Sequence, residues 1–127
     1  MSEHPTVFPT MTYRDVDPAI EFLQRAFGAE PHAVHRDDDG RVRHAELRLG
    51  NGMVMLGPAE TTRGGDVYVV VEDPDEHCSQ AREAGAEIVR EPNDTDYGSR
   101  EYGARDPEGL AWHFGTYQPF EVASTSD

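Results

Sequence analysis

Two histidines and several carboxylates fall where strand alternation would put them on one side of a sheet. In Val42–Leu49 the apolar Ala45, Leu47 and Leu49 would pack on a helix, which turns Val42, His44, Glu46 and Arg48 the other way. In residues 66–71, Val67, Val69 and Val71 form the apolar face, leaving Asp66, Tyr68 and Val70 opposite. Leu110, Trp112 and Phe114 are the bulky face of the last segment, so Ala111 and His113 point away from the helix. The same side is assigned to Phe8, Thr10 and Thr12, to Val54 and Leu56, and to Glu101 and Gly103. A histidine beside carboxylates can move a proton, hold a divalent ion or bind a polar ligand group.

Other chemistry finds no foothold. The chain has no Gly-x-Ser-x-Gly, no P-loop and no Gly-x-Gly-x-x-Gly. Cys78 lies on an apolar helical stripe and reads as a buried, inert thiol. His4, His32, His35 and His77 show no ligand spacing and read as solvated surface. Asp37-Asp38-Asp39-Gly40 lacks the later glutamate of a calcium loop and reads as a hairpin turn.

The elements that must position these residues come as an internal echo. Asp17-Pro18 recurs as Asp73-Pro74, 56 positions on; Gly28-Ala29-Glu30 recurs as Gly85-Ala86-Glu87, 57 positions on. Asn51-Gly52 is answered by Glu108-Gly109 at the same offset of 57. Each half predicts strand, helix and three strands. Val7–Arg14 is the first strand; Asp17 caps a helix with Pro18 at its first position, Ile20, Leu23 and Phe27 on its inner face and Gly28 as its stop. Strands follow at Glu30–Arg36, Val42–Leu49 and Met53–Leu56, the last two joined by the turn Gly50-Asn51-Gly52. The second half predicts a strand at 66–71, a helix from Asp73-Pro74 to Gly85 with Cys78, Ala81 and Ala84 inward, then Glu87–Glu91, Arg100–Arg105 and Leu110–Tyr117. The reading is a single α+β domain over 1–127, of two βαβββ modules at about 6–57 and 66–117, with linker Pro58–Gly65 and a polar tail at 119–127.

Composition narrows the partners. The formal net charge is −14, from 25 acidic residues against 11 basic ones, all arginine. Such a surface repels phosphate backbones and anionic bilayers, so neither nucleic acid nor membrane is expected as a partner. No apolar run reaches the roughly 20 residues of a membrane span. The N-terminal MSEHPTVFPTM lacks a basic-then-apolar leader pattern, and a single cysteine forms no internal disulfide. The expected location is cytoplasmic.

The duplicated unit resembles the vicinal oxygen chelate superfamily, which includes glyoxalase I, bleomycin-resistance proteins and extradiol dioxygenases. DVDPAIEFLQRAFGAE looks like that family's first helix, GRVRHAELRLGNGMVMLG like its three-strand return, and YGSREYGARDPEGLAWHFGTY like its ending. The resemblance spans about residues 6–118 and implies that each half curls a four-stranded sheet into a trough, helix outside. It also implies metal ligands on strands one, four, five and eight. Those positions fall on Phe8, on Leu56 (or Met55 if the register slips by one), on Asp66 and on His113. Two of the four cannot hold a hard ion, so a scaffold without its inherited metal is expected. The alternative is a rearranged divalent-metal site at His44, Asp66 and His113.

The expected function is capture of a small organic, cationic ligand without metal or other cofactor. The ligand-binding residues named for it are Phe8, His44, Glu46, Leu56, Asp66, Tyr68, Glu101 and His113, with a homodimer as the assembly. Bleomycin-resistance proteins, which the chain resembles, hold a basic drug in an acidic groove. The other reading is a glyoxalase-type lyase, isomerase or dioxygenase using the rearranged metal site. A domain that serves mainly as a subunit interface is the third.

Overall fold

Each half of the echo builds one sheet. The structure, a computed structural model, describes residues 4–121. Its first half contains β1 (Thr10–Tyr13), α1 (Val16–Phe27), β2 (Glu30–Arg36), β3 (Val42–Leu49) and β4 (Gly52–Pro58). Its second half contains β5 (Val67–Val70), α2 (Pro74–Glu83), β6 (Glu87–Asp94), β7 (Arg100–Arg105) and β8 (Ala111–Gly115), followed by one 3-10 turn at Pro119–Glu121. The sheets run β1-β4-β3-β2 and β5-β8-β7-β6, with β1/β4 and β5/β8 parallel and the rest antiparallel. This is the two-module α+β arrangement read from the repeat. Residues 122–127 of the polar tail lie outside the described residues.

Helix starts differ between the halves for a local reason. Asp73 caps α2 as expected, its carboxylate accepting from the Glu76 amide at 3.2 Å, with Pro74 in the first turn. In α1 the cap is Asp15 rather than Asp17. The Asp17 carboxylate instead takes both guanidinium nitrogens of Arg36, at 2.9 and 3.1 Å. Pro18 still falls in the first turn, where its missing donor leaves nothing unsatisfied. Gly28 ends α1 in the left-handed region at φ 77°, its amide bonded back to Gln24.

Strand limits shift too. β1 begins only at Thr10, because Pro9 has no amide to extend the ladder, although its carbonyl accepts from Met55. Phe8 therefore precedes the strand. β6 runs three residues further than expected, to Asp94 instead of Glu91, and takes in Pro92; as an edge strand it tolerates the missing donor.

One expected phase is reversed. Val54 and Leu56 face the helices and are buried, Leu56 to 1% exposure. The turn at Gly50-Asn51 pairs Leu49 with Gly52, which puts Val54 opposite Leu47 and Leu56 opposite Ala45. Directly opposed residues share a face, so Met53 and Met55 take the open side. Val42 is likewise in the core. The pairing steps from His35↔His44 to Arg36↔Val42, skipping Arg43, and that bulge turns Val42 inward.

The two modules share one interior. Phe27 of α1 packs its ring against Trp112 and Phe114 of β8, with centroids 5.3 and 4.8 Å apart. Tyr13 of β1 donates to Asp106 Oδ2 at 2.6 Å, and Trp112 Nε1 donates to the same oxygen at 3.1 Å. Asp106 Oδ1 takes the Glu108 and Leu110 amides, so this buried carboxylate is fully paired. Burial and the adjoining carboxylate push the Tyr13 phenol far above its ordinary range. Glu108 reaches across to the Arg14 and Asp15 amides at 2.8 and 2.9 Å and also accepts from Thr62. These contacts lock the β7–β8 turn onto the start of α1.

Candidate functional site

The side of the second sheet that faces away from the helices carries an open-sided hollow of about 600 Å³. Its walls are Tyr68 from β5, Arg90 from β6, Tyr97 from the β6–β7 hairpin, Glu101 from β7, His113 from β8, and Tyr117 and Pro119 beyond it. Alternation places them. Tyr102 and Ala104 of β7 and Trp112 and Phe114 of β8 fill the core, so Glu101, Gly103 and His113 take the opposite side. Tyr68 pairs with His113 across the parallel ladder and Gly103 pairs with it across the antiparallel one.

Two glycines make room for this arrangement. A Cβ at Gly115 would stand 2.6 Å from Glu101 Cγ and 2.8 Å from the Tyr68 hydroxyl oxygen. A Cβ at Gly103 would stand 3.3 Å from His113 Nδ1. Glycine inside a strand weakens it and marks a place where other groups must come close. Here those groups are the hollow's own polar side chains.

Glu101 is the buried polar element, with only 8% of its surface exposed. Its Oε2 accepts from the Tyr97 hydroxyl at 2.9 Å, and that carboxylate raises the Tyr97 phenol above its usual range. Its Oε1 lies 3.6 Å from an Arg90 guanidinium nitrogen. The Tyr97 ring stands edge-on to Tyr117 at 5.8 Å. The Tyr68 hydroxyl donates to the Tyr117 carbonyl at 2.8 Å, and partial burial raises its phenol as well. His113 Nε2 lies 3.6 Å from Asp66 Oδ2, at the exposed rim.

His44 and Glu46 occupy the open face of the other sheet, not this hollow. They bind one another at 3.0 Å, and the histidine holds the Glu46 carboxyl below its normal range. The β2–β3 pairing adds two histidines that spacing alone assigns to plain surface. His35 stacks on His44 at 5.9 Å, and His32 Nδ1 accepts from Arg48 at 2.8 Å. Phe8 lies near them, lining a shallow hollow with His32, Arg48 and Met53. Leu56, named as a ligand contact, is sealed in the core and cannot serve as one. A larger hollow of about 750 Å³ beside the start of α1 has no aromatic wall.

Sequence reasoning misses Arg90, Tyr97 and Tyr117. Tyr97 and Tyr117 lie on turns or past strand ends, where alternation has no say. Arg90 is aimed by irregular pairing that leaves no mark on the periodicity.

The comparisons agree with this architecture. The model of the Glyoxalase/Bleomycin resistance protein/Dioxygenase superfamily matches residues 6–114, and the chain belongs to that superfamily. It is 30% identical over 125 residues to the uncharacterized protein Mb0911c of Mycobacterium bovis, covering 87% of this chain and 82% of that one. Among solved structures, TioX from Micromonospora sp. ML1 is similar at 32% identity and a TM-score of 0.80, covering 92% of this chain and all of its own (100%). A family enzyme from Burkholderia phytofirmans PsJN shares the fold at 18% identity and a TM-score of 0.70, over 85% of this chain and 94% of its own.

Of the four metal-ligand positions that the resemblance implies, two carry side chains that do not hold a hard ion. Phe8 precedes β1, Leu56 is sealed in the core, and Met55 on the open side offers only a thioether, which suits only soft metals. Asp66 and His113 form a pair, while His44 sits on the other sheet beside Glu46. Among the described residues, no three His, Cys, Asp or Glu side chains are grouped to hold an ion.

Proposed function

We propose that this protein captures a small organic, amine-bearing molecule in the hollow of its second sheet, without a resident metal. The observation that supports it best is the nearly buried carboxylate of Glu101 set among the rings of Tyr68, Tyr97 and Tyr117. A carboxylate withheld from water attracts an ammonium group more strongly than a surface one does, and aromatic faces add cation–π attraction. The volume of about 600 Å³ lies within the range of small-ligand sites. Asp66 and His113 supply polar contacts at the rim. A homodimer belongs to the same reading: the exposed apolar side chains of Val7, Val70 and Phe120 favour burial against a second copy. In it, the face with Phe8, His44 and Glu46 would close a neighbouring hollow.

Titration of EDTA-treated protein with tryptamine, followed by calorimetry, tests the proposal. Binding equal to that of untreated protein is expected. Loss of binding on chelation, recovered with about one divalent ion per chain, would overturn it in favour of a metal enzyme.

A further inference from the structure

We infer that Arg90 is a resident cation of the hollow, which a ligand's ammonium group must displace to reach Glu101; this rests on the binding reading above. The first support is how Arg90 is aimed. The β6–β7 pairing steps from Ile88↔Ala104 to Arg90↔Gly103, so Val89 and Arg90 together oppose one glycine, and a second shift follows before Asn93. Bulges of this kind redirect a side chain, and they concentrate beside functional sites. The shift brings an Arg90 guanidinium nitrogen to 3.6 Å from Glu101 Oε1, while Val89 and the His113 ring lie over Gly103.

The second support is an asymmetry within the pair. The Arg90 side chain is 41% exposed, whereas that of Glu101 is 10% exposed. Their separation of 3.6 Å is longer than a direct hydrogen bond. Arg90 can swing its head into water on a long apolar stem and lose little. Glu101 cannot leave, because it is walled in and holds the Tyr97 hydroxyl. An entering ammonium therefore meets a fixed anion whose present partner is movable. An entering carboxylate could pair with Arg90 only by taking it from Glu101, which leaves a fixed charge of the entrant's own sign without its cation, a costly contact to desolvate.

The third support is that three tyrosines, Tyr68, Tyr97 and Tyr117, line the hollow, and aromatic faces attract an organic cation. The hollow thus selects organic monocations with a flat apolar body and discriminates against acids. Arg90 sets how strong the selection is.

Tryptamine and its uncharged analogue tryptophol, titrated into wild type, Arg90→Gln, Arg90→Lys and Glu101→Gln, test this. Arg90→Gln is expected to bind tryptamine about two- to fivefold more tightly than wild type, with tryptophol unchanged. Arg90→Lys keeps a competing cation and should stay close to wild type. Glu101→Gln should lose the preference for tryptamine over tryptophol. Tryptamine affinity that is unchanged or weaker in Arg90→Gln overturns the role of Arg90 and leaves the binding reading standing. If neither wild type nor Arg90→Gln binds either probe, the binding reading falls and this inference with it.

Discussion

Gly115 shows how one missing methyl group shapes the candidate site. A side chain there would press on Glu101 Cγ at 2.6 Å, inside any ordinary contact, so Gly115→Ala must push Glu101 or the β8 backbone aside. Overpacking of this kind costs about 1–3 kcal/mol, more than the roughly 0.5–1 kcal/mol that Ala gains over Gly in a strand. Gly57 is the control: its nearest neighbour would be the Arg43 carbonyl at 3.7 Å, an ordinary contact. Urea melts should show Gly115→Ala destabilised and Gly57→Ala neutral or slightly stabilised. Gly115→Ala should also bind tryptamine more weakly. Equal stability of the two variants would contradict the crowding argument. At this scale the sequence was legible where a residue sits in a regular strand. Tyr68, Glu101 and His113 all follow simple alternation, and Asp66 reaches His113 from just before β5, whereas Arg90 follows a bulge that no spacing reveals.

Secondary-structure elements were easier to find than to phase. The repeat identifies both helices and all eight strands, because caps, glycine stops and apolar stripes recur in the same order. The side of β4 was misjudged, although the needed information lay in the two-residue turn before it. Counting back from Leu49↔Gly52 assigns Leu56 to the core and Met55 to the open side. Truncation distinguishes the two. Leu56→Ala should cost about 2–5 kcal/mol as a cavity forms, while Met55→Ala should cost about 1 kcal/mol or less. Guanidinium melts with comparable losses for both would show that β4 is not phased as described.

At the scale of the whole molecule, His77 joins the two modules and gives stability a pH dependence. It stacks against Phe27 of α1, packs at a tilt against Phe114 of β8 and is hydrogen-bonded to the Tyr102 hydroxyl. Burial depresses its pKa below the ordinary 6.5. The unfolded chain therefore takes up this proton first, so stability is complete above about pH 6.5 and declines as the pH falls below it. The depressed carboxyls of Glu46 and Glu108 act in the same direction, but in a lower window below their ordinary 4.5. Denaturation midpoints measured at about pH 7.5 and pH 5.5 should differ in wild type and converge in His77→Phe. An unchanged gap in the variant would assign the acid sensitivity elsewhere. Spacing alone placed His77 on the surface, because its partners come from the other module and from strands distant in sequence.

Phe27 wedged against Trp112 and Phe114, with Tyr13 bound to Asp106, has a consequence for how an occupied hollow would be sensed at a distance. A local opening of α1 cannot proceed without loosening the back of β8, whose other side carries His113. Tightening that strand from the front should therefore slow amide deuterium uptake along α1, on the far side of the sheet from any guest. The duplicated halves would then respond as one cooperative body, and the half that does not touch the guest would report its arrival.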